Sequence, residues 1–161
     1  GSRIDSYTAD PSTVEMTMAV QGAVHTTGRF DGTVLVTDAS GERVDGGITL
    51  TLTSSSVTDY FGVAGILCDS IQYTLDFSPD AGLSAAITND SFTAPAVAIT
   101  YEDTPGHSIF TTTWTRSGTR SNDGVWTGTV TSVTTGGSGS TWGGCNGTVQ
   151  HSWQAAWTGN S

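Results

Sequence analysis

A chain of 161 residues can bury one sizeable core but not several, so a single domain is expected. Its formal charge of −10, with five arginines and no lysine, leaves no basic patch to displace counterions, which argues against a nucleic-acid partner. No apolar run approaches the length of a bilayer span; "FGVAGIL" at residues 61–67 is far too short.

In chain order, residues 1–12 read as a cloning remnant (Gly1-Ser2) followed by a loose polar tail, and the domain is expected over residues 13–161. "TVEMTMAV" places Val14, Met16, Met18 and Val20 on one face. In "GAVHTTGRF", Val24, Thr26, Gly28 and Phe30 share a face, with His25 opposite. "ITLTLT" alternates Ile48, Leu50 and Leu52 with threonines, and "IQYTLDF" repeats this with Ile71, Tyr73, Leu75 and Phe77. Leu83, Ala85 and Ile87 continue the pattern, as do Val97, Ile99 and Tyr101, then Phe110, Thr112 and Trp114, then Trp126 and Val130. Period two is the mark of a half-buried strand, and no segment sustains a helical period. The threonine and valine content agrees, because β-branched side chains suit a pleated surface.

Turn chemistry separates the runs. "FDGT" at residues 30–33 reads as a two-residue Asp-Gly hairpin, which would set His25 across from Asp38. "DASGER", "SPDAG", "ITND" and "SNDG" mark further tight connections, and "YEDTPGH" reads as a solvated turn. "TTGGSGSTWGG" at residues 134–144 reads as a flexible loop within the domain. "SSSVTDYFGVAGILC" at residues 54–68 is apolar without clean alternation, and suits a bulged strand, a short plugging helix or a loop across a cavity mouth. The expected fold is all-β: an antiparallel meander forming a single barrel of calycin-like size or a sandwich of about ten strands.

Two cysteines are present, Cys68 and Cys145. Cys68 ends a buried-looking run and Cys145 lies on an apolar face, and a disulfide between them is expected in a secreted or cell-surface protein of this threonine- and glycine-rich make-up. Such a bond would contribute about 4.5 kcal/mol in the chain-entropy model.

The common catalytic and metal motifs are absent. There is no Gly-x-Ser-x-Gly, no His-Glu-x-x-His, no phosphate loop and no Cys-x-x-Cys. The histidines His25, His107 and His151 lie in separate segments, so neither a metal nor a cofactor is expected. The most informative stretch is "CNGTVQHSWQAAW" at residues 145–157, where His151 shares a face with Cys145, Val149, Trp153, Ala155 and Trp157. An apolar, aromatic lining with few polar groups is the make-up of a ligand site. Contacts are therefore expected from His151, Trp153, Trp126, Trp142, Tyr101 and Tyr60. The partner would be a small apolar molecule or a glycan, held in a barrel or cleft without catalysis. Competing readings are a surface adhesion or structural module with a packed core, and a small barrel enzyme, cyclase-like or hydrolytic, using His151 or Tyr101 as its acid–base group. Thr-x-Thr rows at 49/51/53, 111/113/115 and 127/129/131 offer a further face able to order water.

Overall fold

A computed structural model of the chain describes residues 24–38, 41–68, 71–77, 83–136 and 145–159, and these form ten strands. They are β1 (Gly28–Asp38), β2 (Gly41–Leu52), β3 (Ser56–Cys68), β4 (Ile71–Phe77), β5 (Ala85–Ala86), β6 (Ser91–Thr93), β7 (Val97–Thr104), β8 (His107–Arg120), β9 (Trp126–Gly136) and β10 (Gly147–Gly159). The expected tail at 1–12 and the run "TVEMTMAV" lie outside the described residues.

All pairings are antiparallel, in the order β4-β3-β2-β1-β10-β9-β8-β6, with β5 on β3 and β7 on β8. The last strand lies between β1 and β9, so the middle of the sheet forms only when the C-terminal segment arrives. The fold is all-β, as expected, but among the described residues the ladders do not close into a barrel. Residues 85–93 instead reach from one flank to the other: Ala85 and Ala86 pair with β3, and Ser91 to Thr93 pair with β8. The turn between them puts Asn89 and Asp90 at positive φ (52° and 57°), the geometry that Asn and Asp tolerate in tight hairpins. Phe92 and Ala94 from this crossing join Phe30, Leu50, Tyr60, Trp114, Trp126 and Trp153 in one core.

The Asp31-Gly32 hairpin is not formed. Both residues lie inside β1, and the β1–β2 hairpin closes instead where Asp38 pairs with Gly41. Gly32 answers a different demand: a Cβ there would collide with the Gln154 carbonyl oxygen of the neighbouring strand. Asp38, expected opposite His25, pairs instead with Gly41, and His25 stacks on Trp157 with ring centroids 3.5 Å apart.

The irregular segment is a bulged strand. Leu52 pairs with Val57 but Thr51 pairs with Asp59, leaving Thr58 extra, and its Oγ1 donates to the Thr51 carbonyl at 3.2 Å. The first half of β3 pairs with β2. From Gly62 onward it pairs with β4 and leaves the main ladder.

Candidate functional site

The inner faces of β8, β9 and β10 contribute Trp114, Trp126, Val130, Trp153 and Ala155 to the core. Register sets Trp126 beside Ala155, Gly128 beside Trp153, Val130 beside His151 and Ser132 beside Val149. On the other side of β9, Gly128 faces Gly118, Val130 faces Arg116 and Ser132 faces Trp114. The two glycines make space for the Trp153 indole: a Cβ at Gly118 would lie 2.6 Å from its Cη2, and one at Gly128 would lie 2.5 Å from its Cζ2. Tyr60 meets the same indole edge-on at 6.4 Å between ring centroids.

Polar groups interrupt this apolar face. Thr112, Arg116, Ser132, Thr134 and His151 are all buried, although alternation alone would favour apolar side chains there. Thr112 and Thr134 share a hydrogen bond of 3.0 Å between their hydroxyls. The Ser132 hydroxyl donates to the Gly65 carbonyl, which fastens the β3–β4 hairpin over the inner face of β9 and β10. The Arg116 guanidinium lies 5.5 Å from the Tyr60 ring centroid, close enough for a cation–π contact. His151 Nε2 lies 2.9 Å from a carboxylate oxygen of Asp45, whose side chain is 11% exposed.

Three ring nitrogens in this region stand out. Trp126 Nε1, Trp153 Nε1 and His151 Nδ1 are buried and have no hydrogen-bond partner among the described residues. Such groups are rare in native cores, and each costs about 1–3 kcal/mol when left unsatisfied.

The sequence-predicted residues thus fall in different places. His151, Trp153, Trp126 and Tyr60 come together in the core. Tyr101 is half-buried on β7, its ring 4.7 Å from that of Phe110, and burial raises its phenol pKa. Trp142 lies outside the described residues. Cys145 is fully buried; the Cys68 side chain lies outside the described set. Asp45 and Arg116 were missed by sequence reasoning. Arg116 was legible in principle, since it is in phase with Trp114, whereas nothing local marks Asp45 as inward-facing.

The opposite face of β8 and β9 carries rows of threonine and serine. Cross-strand register aligns Thr127 with Thr119, Thr129 with Ser117, and Thr131 with Thr115. An open groove of about 390 Å³ is lined by Leu35, Thr127, Thr129, Ser152 and Gln154, and one of about 320 Å³ by Asp31, Thr33, Gln154 and Ala156. Among the described residues, no helix is long and apolar enough to cross a membrane, and no three His, Cys, Asp or Glu side chains cluster as metal ligands would. No protein-family model matches the chain, and no curated protein matches it.

Proposed function

We propose that the chain is a non-enzymatic binding module that holds a small, neutral, carbohydrate-like ligand against the inner face of β9 and β10. The buried nitrogens of Trp126, Trp153 and His151 carry this reading. An indole N–H can only donate, so two of the three ask for an oxygen acceptor, while the rings around them offer apolar and stacking contact. A sugar-like molecule supplies both a flat apolar face and hydroxyls. The formal charge of −10 disfavours an anionic ligand and any nucleic acid. Secretion and a Cys68–Cys145 disulfide belong to the same proposal, since that bond would tie the tip of the overlying β3–β4 hairpin to the start of β10.

The test is a panel of neutral monosaccharides, disaccharides and cyclic polyols, read by tryptophan fluorescence and by thermal melting. At least one member is expected to quench emission and raise Tm in proportion to its concentration. A panel without any response sinks the reading.

The near-complete burial of Trp114, Trp126 and Trp153 favours a second reading, a surface or structural module with a packed interior. The variant His151→Phe separates the two. A packed core tolerates it or gains stability, with no change in any binding. A ligand site keeps its fold and loses the quenching.

A further inference from the structure

The β1–β2 ladder pairs Val34 with Gly46 and then Leu35 with Val44, which leaves Asp45 as an extra residue in β2. Regular alternation from Ile48 through Gly46 would turn Val44 inward and Asp45 outward. The bulge does the reverse. Val44 is 63% exposed, while the Asp45 carboxylate turns inward onto His151. Exposing a valine and drawing in a carboxylate both cost stability, so packing does not explain this irregularity. Bulges that re-aim one side chain concentrate beside functional sites.

The consequence is chemical. An ionised carboxylate only accepts hydrogen bonds, so a neutral imidazole facing Asp45 would carry its hydrogen on Nε2 and leave a lone pair on the buried Nδ1. The Arg43 guanidinium stands 3.8 Å from the second Asp45 oxygen, on the solvent side of the pair. The Gly65 backbone closes the other side: a Cβ there would lie 2.7 Å from His151 Cε1. We infer that Asp45 is the positioning residue of the ligand site, fixing His151 as a hydrogen-bond acceptor, so that the ligand presents a hydroxyl or N–H donor to Nδ1. This rests on the binding function proposed above and narrows it. The indoles of Trp126 and Trp153 take acceptor oxygens, and His151 takes a donor. Hydroxyl groups satisfy both, whereas ethers, ketones and pure hydrocarbons do not.

Long-range ¹H–¹⁵N correlation spectra of the full chain, labelled at histidine, read the tautomer directly at neutral pH and without ligand. The expected pattern for His151 is a protonated Nε2 with a bare Nδ1. In Asp45→Asn the amide can donate to Nε2 and free the hydrogen for Nδ1, so the Nδ1–H form should appear. Affinity for methyl β-glucoside, used as the hydroxylated probe, should fall about tenfold, the loss of roughly one hydrogen bond. A hydrogen on Nδ1 in the unsubstituted protein overturns the inference whatever binds, and so does an unchanged tautomer and affinity in Asp45→Asn. The expected tautomer with no binding of any hydroxylated probe overturns instead the function on which the inference rests.

Discussion

Asp31 shows how a single side chain joins three strands. It receives Arg29 Nε at 2.8 Å and Thr49 Oγ1 at 2.6 Å, and the Thr158 hydroxyl as well, so its carboxylate links β1, β2 and β10. The Arg29 hydrogen bond, with help from both threonines and against the opposing effect of burial, lowers its pKa to about 2 from an ordinary 3.8. A carboxyl held down in the folded state adds stability above its unfolded pKa and loses it as pH falls toward the folded one. Asp31→Asn should therefore cost about 1 kcal/mol at neutral pH, a figure reduced from the full shift because the site is partly solvated. The difference between the two proteins should shrink from about pH 4 downward and vanish below about pH 2, as followed by urea unfolding at a series of pH values. At Gly128 the expected effect is steric. An alanine methyl would collide with both the Ser117 carbonyl oxygen and the Trp153 ring, so Gly128→Ala should cost about 2–3 kcal/mol and shift tryptophan emission to the red. At this scale the sequence was informative wherever alternation ran undisturbed. His151, Trp153 and Trp126 are inward as their spacing requires, and Asp45 is inward against it.

Among the elements, the β3–β4 hairpin carries the most mechanical interest. It leaves the main ladder at Gly62, crosses β9 and β10, and rests on them through Gly65, whose missing Cβ accommodates Val149 and His151. Gly65→Ala would place a methyl 2.6 Å from Val149 Cγ1, lifting the hairpin. Faster amide hydrogen exchange in residues 62–77, with β1 and β8 unaffected, is the expected readout. Ile66 packs with Ile109, Phe110 and buried Cys145, which brings the hairpin's far half to the beginning of β10. A disulfide from Cys68 to Cys145 is expected to hold it there. Non-reducing mass spectrometry should find the protein two hydrogens lighter than its reduced form, and Cys145→Ser should lower stability by about 2–5 kcal/mol. Two alkylatable thiols in freshly purified, unreduced protein would end that expectation. Sequence reasoning allowed a bulged strand among three options for residues 54–68, and could not choose because apolar content without a period fits all of them. It misassigned "FDGT" because Asp-Gly is a turn signal only when nothing else needs the glycine.

The whole molecule has 15 acidic residues against five arginines, and its folded form brings those charges together. Self-repulsion in a compact state is relieved by screening, with a Debye length near ~10 Å at about 0.1 M salt. Tm should therefore rise between low and moderate sodium chloride, most steeply below about 0.1 M; a flat response would show that local pairs such as Arg29–Asp31 and Arg120–Asp90 already offset the repulsion. The all-β class, the polar-and-apolar alternation and most inward-facing residues were readable from the sequence, because period two is a local property of an extended chain with side chains on alternate sides. Three things depended on tertiary structure. One neighbour of β1 is β10, at the far end of the chain, and that pairing follows from closure over a long stretch of sequence and not from any adjacent residues. Residues 85–93 reach both flanks of the sheet, pairing with β3 and with β8, and nothing local in that stretch names either partner strand. Asp45 faces His151 only because β2 carries one residue more than its partner strand at that point, and a bulge is a mismatch between two strands, which neither strand's own sequence contains.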